Sequence, residues 1–238
     1  MKKDNNKDFN IFILVGGLGS RLKSLVKKTP KPMLSNTDKP FIDYKIDNVR
    51  KYFPENNIYL LTYYLSETFE RFYKNNDKIK IIKEHKPLGT GGSIKNAIKC
   101  LNLSISSKLI VMNGDTYDNI DYAKLILETN DINMVCLPKD NCDKYNTVDV
   151  NNDNYIIRFN EKECGIKNKL INAGCYYFKN LEFFNTFKDN IFSIEKKFTS
   201  CVKSHPIKSY IYSGPFLDIG TLDDFYKMSK TINKYENK

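Results

Sequence analysis

Short runs of β-forming residues alternate with segments of helical periodicity along the first half of this chain. Buried strands are predicted at 9–15, 57–63, 78–83 and 109–112. Amphipathic helices, in which apolar residues recur three or four positions apart, are predicted at 38–52, 66–74, 93–101 and 121–130. Ser66 has the residue type of a helix N-cap. Strands that alternate with helices pair in parallel through crossover connections, so this order predicts a mainly parallel sheet with helices on both faces.

The second half of the chain is richer in strands, which makes the predicted sheet mixed. Strands are predicted at 132–137, 147–150, 155–159, 171–178 and 207–212. Helices are predicted at 181–187, 194–203 and 222–235. A length of 238 residues fits one large domain or two small ones. The polar stretch 140–154 is the best candidate for a seam, but it is not a clean linker, so we expect a single domain, residues 1–238.

The formal net charge of +10 comes almost entirely from lysine, since the chain has four arginines. A basic chain can bind nucleic acid, an anionic membrane or phosphorylated small molecules. We expect no nucleic-acid partner, because the sequence has neither a dense basic run nor an RNA-binding aromatic motif. No apolar run reaches the roughly 18–20 residues of a spanning helix, and the charged N-terminus lacks a signal-peptide pattern. We therefore expect a cytoplasmic protein without a membrane partner.

Three loops after predicted strands carry residues suited to anionic ligands, which bind beyond the carboxyl ends of strands in open α/β sheets. The first, 16–19, has three glycines that free backbone N–H groups for phosphate oxygens, and Arg21 adds a planar fork of donors. The second holds Lys31 between two prolines that stiffen the backbone. The third, 87–93, is rich in glycine and precedes a helix. Leu22 stands where a dinucleotide-binding fingerprint needs its last glycine, and a purely structural turn remains an alternative for each loop alone.

Taken in order, the motifs of this chain resemble those of the sugar-phosphate nucleotidylyltransferases. That family opens with a G-G-x-G-[ST]-R-L loop and a P-K-P-[ML] segment, which this chain has at 16–22 and 30–33. An L-G-T-G-G loop, an N-G-D strand end, an F-x-E-K segment, an N-A-G segment, a glutamate segment and a D-I-G-T segment follow. They lie at 88–92, 113–115, 159–162, 172–174, 193–196 and 218–221. Val15 replaces a common alanine and Ser20 a common threonine, and neither departure removes a charge.

The resemblance implies a Rossmann-like, three-layer α/β/α (GT-A-like) fold with a nucleotide-binding part at about 9–138 and a sugar-phosphate-binding part at about 139–238. It also implies that a sugar 1-phosphate oxygen attacks the α-phosphate of a nucleoside triphosphate, giving a nucleotide sugar and pyrophosphate. This reaction needs positioning and charge neutralisation. It needs no general base, since a phosphate monoester is largely dianionic at pH 7. His85 and His205 are therefore not expected to be catalytic.

The resemblance also assigns the site residues. The implied cofactor is Mg²⁺, held by the carboxylates of Asp115 and Asp218. The implied catalytic residues are Arg21, Lys31 and Asp115. The implied nucleotide-binding residues are Val15, Gly16, Gly17, Gly19, Ser20, Arg21, Lys31, Glu84, Gly89, Thr90 and Gly114. The implied substrate-binding residues are Asp115, Glu161, Lys162, Asn172, Gly174 and Glu195, with Lys162 on the phosphate of the sugar. For either aspartate alone a turn or cap is the alternative, and for Glu84 a solvent-facing position.

Within the family, the chain looks most like the guanylyltransferases that act on D-glycero-α-D-manno-heptose 1-phosphate. This similarity favours GTP as the nucleotide and GDP-heptose for surface polysaccharide, such as capsule, lipopolysaccharide or S-layer glycan, as the product. The alternatives are a mannose-1-phosphate guanylyltransferase and a uridylyl-, thymidylyl- or cytidylyltransferase for another hexose 1-phosphate. A third alternative is a catalytically inactive regulatory or binding subunit on the same fold. Related enzymes are often dimers or tetramers, which leaves a homo-oligomer, such as a dimer, open.

Overall fold

A computed structural model describes residues 8–19, 22, 28–127, 130–162, 164–165 and 167–236. The strands of this part are β1 (Phe9–Leu14), β2 (Ile58–Thr62), β3 (Ile79–Lys83), β4 (Lys108–Asn113), β5 (Thr116–Asp118), β6 (Ile132–Asn141), β7 (Thr147–Val150), β8 (Ile156–Asn160), β9 (Lys167–Phe178), β10 (Ile207–Ile211) and β11 (Phe216–Asp218). The α-helices are α1 (Phe41–Tyr52), α2 (Ser66–Phe72), α3 (Gly89–Cys100), α4 (Tyr122–Leu127), α5 (Glu182–Asn185), α6 (Ile194–Cys201) and α7 (Leu222–Glu236). A 3-10 turn spans Lys31–Met33.

Seven of these strands form the main path of a nine-stranded mixed sheet in the order β10-β6-β9-β4-β1-β2-β3. The pairs β4–β1, β1–β2, β2–β3 and β10–β6 are parallel, whereas β9 runs antiparallel to both of its neighbours on this path. The hairpin of β7 and β8 joins the sheet through β7, which pairs with β9. β9 also pairs with β4, so strands from both halves of the chain share one sheet.

Apolar side chains pack helices against both faces of the sheet. Along β1, Ile11 and Ile13 belong to one buried cluster and Phe12 to the other, as the alternation of side chains along a strand requires. The first cluster includes residues of α1 and α4, and the second includes residues of α3, α5 and α6. This arrangement confirms the predicted α/β/α layers around a mixed sheet. None of the helices formed by the described residues combines the length and apolar character needed to cross a bilayer.

A short ribbon outside the main sheet was not predicted. β5 and β11 form an antiparallel pair in which Thr116 lies opposite Asp218 and Asp118 opposite Phe216. A third apolar cluster, which includes Tyr44 of α1, Tyr117 of β5 and residues of α7, covers this ribbon. Strands of three residues are too short to produce a recognisable alternation of apolar and polar positions, so local sequence does not reveal them.

Two local predictions were wrong. Ser66 does not precede α2 but is its first residue, and Leu65 occupies the N-cap position with a left-handed backbone (φ 52°). The buried Ser66 hydroxyl instead shares a hydrogen bond with Thr62 and donates one to Glu70. The glycine-rich segment 87–92 is also not entirely a loop, because α3 begins at Gly89 rather than at Ser93. Glycine is unfavourable in a helix, so tertiary contacts must support this first turn, which contains three glycines.

Candidate active site

A cavity of about 550 Å³ opens beyond the carboxyl ends of four neighbouring parallel strands. Val15 follows β1, Tyr63 follows β2, Glu84 follows β3 and Asp115 lies two residues beyond β4, and all four side chains line the cavity. Carboxyl ends of parallel strands meet at one edge of a sheet, which is where open α/β proteins bind ligands. The position of the cavity therefore follows directly from the strand order.

The cavity brings together most of the residues predicted to bind the nucleotide. They are Val15, Gly16, Gly17, Gly19, Lys31, Glu84, Gly89 and Thr90, with Asp115 and Asp218 at the same site. Gly114 lies behind the cavity wall, since a Cβ placed there would come within 2.5 Å of Val15 Cγ1. Ser20 and Arg21, which were also predicted to bind the nucleotide, lie outside the described residues.

Lys31 lies between two carboxylates from distant parts of the chain. Its Nζ is 2.7 Å from Oδ2 of Asp115 and 3.5 Å from Oδ1 of Asp218. Asp115 directly precedes β5 and Asp218 ends β11, so the ribbon holds both carboxylates at one end. The backbone of Ile219 also donates a hydrogen bond to the carbonyl of Asp115 (3.2 Å). The 3-10 turn after Pro30 brings the ammonium to this end of the ribbon.

Charge and burial shift the pKa values of this group in opposing ways. Burial disfavours the charged form of Lys31, but the carboxylates of Asp115 and Asp218 together raise its pKa above the ordinary value. Burial raises the pKa of Asp218, the negative charge of Asp115 raises it further, and Lys31 partly offsets both effects. The two carboxylates therefore require a cation between them, and Lys31 supplies it in this structure.

The chemistry of the two carboxylates is compatible with Mg²⁺. In the described part of the chain, no group of three or more His, Cys, Asp or Glu side chains is arranged to hold a metal. A magnesium site does not need such a group, since the ion usually takes one or two protein carboxylates and completes its shell with phosphate oxygens and water. The carboxylate oxygens of Asp115 and Asp218 are hard donors, and both already lie around one positive charge, the Lys31 ammonium.

The glycines at the start of α3 serve packing more than anion binding. The N–H groups of Gly91 and Gly92 donate to the carbonyl of Phe192 (3.0 and 3.2 Å), so these amides are not available to a phosphate. A Cβ at Gly91 would come within 2.1 Å of the Phe192 ring, and one at Gly92 within 2.4 Å of the Asn190 carbonyl. Gly89, with φ +73°, lines the cavity. The segment that precedes α6 thus supports the first turn of α3.

Glu84 is a buried carboxylate in the cavity wall rather than a solvent-facing residue. Its side chain lines the cavity at 7% exposure. The N–H of Leu88 donates to Oε2 (3.2 Å). Burial raises the pKa of Glu84, and hydrogen bonds from Ser93 and Leu88 offset part of that effect. The hydrogen bond from Leu88, just before α3, orients Oε2 of Glu84. The carboxylate can accept further hydrogen bonds from a ligand in the cavity.

Apart from Asp115, the residues assigned to the sugar substrate are not part of the cavity lining. Glu161 and Lys162 are exposed after β8. Asn172 accepts a hydrogen bond from the N–H of Gly174 (2.8 Å) and donates one to Tyr176 (2.9 Å). A Cβ at Gly174, which has φ +70°, would lie 2.2 Å from the amide of Asn113 in the cavity wall. Gly174 therefore shapes the site by letting Asn113 approach.

Glu195 connects α6 to α3. Its Oε2 accepts hydrogen bonds from the hydroxyls of Thr90 (2.8 Å) and Ser193 (2.5 Å), and Thr90 in turn accepts one from the N–H of Ile194 (3.0 Å). The negative charge of Glu195 adds to the effect of burial in raising the pKa of Tyr176. These hydrogen bonds link the start of α6 to the first turn of α3 through Glu195.

Several cavity residues were not assigned from the sequence. They are Leu14, Leu18, Leu22, Pro32, Tyr63, Pro87, Leu88, Ser93, Asn113 and Gly220. Tyr63 had a usable signal, because it is the last residue of a predicted parallel strand. The apolar members had none, since an apolar residue that lines a cavity has the same pattern as one in the core. Among the described residues the cavity lining contains no histidine, and His205 packs edge-on against Phe183.

Comparisons with known proteins agree with this geometry. A family model described as nucleotidyl transferase matches residues 11–235. The chain therefore belongs to the nucleotidyl transferase family and is an enzyme of the nucleotidyltransferase class. It is 35% identical to a D-glycero-alpha-D-manno-heptose 1-phosphate guanylyltransferase from Campylobacter jejuni, over 90% of this chain and 96% of that protein. It is 32% identical to a protein of the same name from Aneurinibacillus thermoaerophilus, over 94% and 98% of the two chains.

The crystal structure of HddC from Yersinia pseudotuberculosis matches with a TM-score of 0.80 and 31% identity, over 94% of this chain and 99% of that one. A second structure of HddC, in complex with GMP-PN, matches with a TM-score of 0.78. These matches confirm the nucleotidyltransferase fold implied by the sequence resemblance.

Two glycines of the cavity should respond differently to the same substitution. A Cβ at Gly17 would meet no atom of the described residues within 4 Å, whereas a Cβ at Gly89 would lie 2.6 Å from the Phe192 carbonyl on a backbone with φ +73°. We expect Gly89→Ala to lower the free energy of unfolding by about 1–3 kcal/mol, as strained positions do. Gly17→Ala should stay within about 0.5 kcal/mol of the wild type. Urea denaturation measures both, and equal stabilities would contradict the packing role of Gly89.

Proposed function

We propose that this enzyme transfers the guanylyl group of GTP to D-glycero-α-D-manno-heptose 1-phosphate, giving GDP-heptose and pyrophosphate. The product would be a nucleotide sugar for surface polysaccharide such as capsule. Two proteins that carry this activity in their name match nearly the whole chain at 35% and 32% identity. HddC, at 31% identity, has been crystallised with a guanine nucleotide analogue. The cytoplasmic location expected from the sequence belongs to the same proposal, and a homo-oligomer, such as a dimer, stays open.

One structural observation carries the proposal. A cation, Lys31, and two carboxylates, Asp115 and Asp218, meet at the wall of a cavity that is also lined by the glycine loop after β1. Phosphoryl and nucleotidyl transfer consists mainly of positioning anionic groups and neutralising their charge. An inactive binding subunit would have no need to keep two partly buried carboxylates face to face, because their repulsion costs stability.

In the proposed reaction, an oxygen of the sugar 1-phosphate attacks the α-phosphorus of GTP. The bond from that phosphorus to the oxygen bridging the α- and β-phosphates breaks, and pyrophosphate leaves with the electron pair. The attacking phosphate is largely dianionic at pH 7, so no side chain needs to remove a proton. Lys31 offers a charged donor to the phosphate oxygens, and Arg21 and Lys162 are proposed as further cations for the nucleotide and the sugar phosphate.

Asp115 and Asp218 are the residues we propose to hold Mg²⁺. When bound, the ion would neutralise phosphate charge and orient the α-phosphate, which is the chemistry a divalent cation supplies in such reactions. Within this proposal, the carboxylates keep their mutual orientation through the β5–β11 ribbon. Lys31 balances their charge before substrate binds.

Glu84 supports guanine as the preferred base. The Watson–Crick edge of guanine presents two adjacent N–H donors, at N1 and N2, and a carboxylate can accept both. Uracil, thymine, cytosine and adenine lack two adjacent donors on that edge. Glu84 is buried in the cavity wall and already accepts a hydrogen bond from Leu88. A base without two such donors would leave the remaining acceptor positions of the carboxylate unpaired, which weakens its binding.

The proposed function is tested by a matrix of nucleoside triphosphates against sugar 1-phosphates, with pyrophosphate release as the readout. GTP, UTP, dTTP, CTP and ATP are each combined with the heptose, mannose, glucose and N-acetylglucosamine 1-phosphates. We expect GTP with the heptose phosphate to give a kcat/KM at least about 100-fold above every non-guanine combination. Preference for another base or sugar would identify a different transferase. Absence of turnover throughout the matrix would support the inactive-subunit alternative.

Removing either carboxylate charge should impair the reaction. We expect Asp115→Asn and Asp218→Asn each to lower kcat by about 100-fold or more, the effect of losing one major electrostatic group. Each variant should also weaken binding of Mn²⁺, used as a spectroscopic probe and measured by electron paramagnetic resonance. Asp189→Asn, which changes an exposed aspartate paired with Lys197, is the control and should match the wild type. Wild-type kcat and Mn²⁺ affinity in both site variants would overturn the metal assignment.

Glu84→Gln should weaken the discrimination between bases without abolishing turnover. Glutamine keeps the shape but replaces one acceptor by a donor, which would face an N–H of guanine. Because a hydrogen bond to a charged group contributes about 1.5–3 kcal/mol, kcat/KM for GTP should fall about 10-fold or more. The values for UTP and ATP should change much less. The exposed Glu67→Gln serves as control, and an unchanged kcat/KM for GTP in Glu84→Gln would exclude Glu84 from base recognition.

A further inference from the structure

The ribbon that carries both active-site carboxylates is too small to hold its own position. β5 and β11 have three residues each, and they pair with one another rather than with the nine-stranded sheet. An isolated two-stranded pair is marginally stable at best in water. Whatever fixes this ribbon against the rest of the protein also fixes where Asp115 and Asp218 lie.

A buried ion pair joins the ribbon to α1. Nζ of Lys45, on α1, is 2.5 Å from Oδ2 of Asp118, the last residue of β5, and both side chains are 1% exposed. Oδ1 of Asp118 has no hydrogen-bond partner among the described residues. Lys45 is therefore the one charged partner that the described structure gives to this buried carboxylate. Removing one partner of such a pair leaves an uncompensated buried charge, so α1 and β5 are held in one relative position.

Neighbouring contacts define the orientation of this attachment. Tyr44, next to Lys45, packs edge-on against Tyr117 of β5, with ring centroids 6.2 Å apart. Asn48, one turn further along α1, donates a hydrogen bond to the carbonyl of Ile120 (3.2 Å). α1 thus contacts the ribbon and the residues that follow it at three successive points. The ion pair is the contact that most strongly resists a rotation of the ribbon, because separating two buried charges costs more than breaking an aromatic contact or a neutral hydrogen bond.

The segment that carries Lys45 also carries Lys31. The 3-10 turn at Lys31–Met33 is connected to the start of α1 by a hydrogen bond from the Phe41 N–H to the Leu34 carbonyl (3.0 Å). One stretch of chain therefore places one lysine at each end of β5. Lys31 binds the carboxylates at the cavity, and Lys45 binds Asp118 in the interior. Lys31 is partly exposed and can exchange its carboxylate partners for a ligand when one binds in the cavity. Lys45 and Asp118 cannot, because both are buried away from the cavity.

We propose that Lys45 and Asp118 are positioning residues that fix the β5–β11 ribbon so that Asp115 and Asp218 face Lys31. A pair kept for stability alone could be replaced by apolar residues of similar volume, often without loss of stability. A positioning role predicts that such a replacement folds but misplaces the carboxylates. The kinetic consequence rests on the proposed function, whereas the structural consequence does not.

The test uses the double variant Lys45→Met/Asp118→Asn, which removes both charges while keeping the side-chain shapes. Urea denaturation first establishes that it folds. Acetylation of Lys31, followed by peptide mass spectrometry and normalised to the exposed Lys78, then reports whether Asp115 and Asp218 still hold its ammonium. We expect the relative rate to rise by at least about threefold, since loss of a local contact exposes the amine. We expect kcat to fall by roughly 100-fold, as for a displacement near 1 Å, with little change in KM for the nucleotide.

Ile207→Ala is the matched control, because it removes buried apolar contacts on β10, in the part of the core that packs α5 and α6. It should lower stability without changing Lys31 acetylation or kcat, which separates a general loss of stability from positioning. If the folded double variant shows wild-type acetylation and a kcat within about threefold of the wild type, the positioning role is wrong.

Asp118→Asn alone keeps the test available if the double variant does not fold. Asparagine keeps the shape of the aspartate side chain, and its carbonyl oxygen can still accept a hydrogen bond from Lys45. The same rise in Lys31 acetylation and fall in kcat support the proposal, and wild-type values for both overturn it. The acetylation measurement needs no substrate. If the wild-type protein turned over no substrate pair, the proposed function would be wrong. The acetylation rates would still test whether Lys45 and Asp118 position the carboxylates around Lys31.

Discussion

The interaction on which this site depends is the bridge of one lysine across two carboxylates. Burial and the negative charge of Asp115 raise the pKa of Asp218, and Lys31 supplies the positive charge that partly offsets both effects. The three residues come from the turn before α1, the start of β5 and the end of β11. The sheet, the ribbon and that turn must therefore assemble together before the charges can balance. The same balance suits an enzyme that has to collect anionic substrates.

The glycines around the cavity fall into two physical classes. A Cβ at Gly17 would meet none of the described residues within 4 Å, so none of them requires that this position lack a side chain. Gly89, Gly91 and Gly92 instead make room for the backbone and ring of the segment that precedes α6. The glycine-rich segment that was predicted to bind the nucleotide is therefore also a packing surface. The link from Thr90 to Glu195 strengthens it and connects residues predicted for the nucleotide with one predicted for the sugar.

Sequence reasoning was most successful where a residue's role depends on its position at a strand end. Val15, Glu84 and Asp115 were assigned from the resemblance, and the parallel strand order brings all three to one cavity. Three residues predicted for the sugar substrate do not line the cavity, since Glu161 and Lys162 are exposed and Asn172 bonds to its own strand. Motif order identifies such residues as a set, but their distance from the cavity depends on how the mixed part of the sheet bends.

By itself, the sequence determined the alternation of strands and helices, the loops at the strand ends and the identity of the charged residues. These features are local, since periodicity and turn residues act over a few neighbouring positions. Only the tertiary structure decided that Lys31 bridges carboxylates 84 and 187 residues away, and that Lys45 and Asp118 form a buried pair 73 residues apart. A buried charge selects its partner through exclusion of water and chain closure, and neither leaves a periodic trace in the sequence.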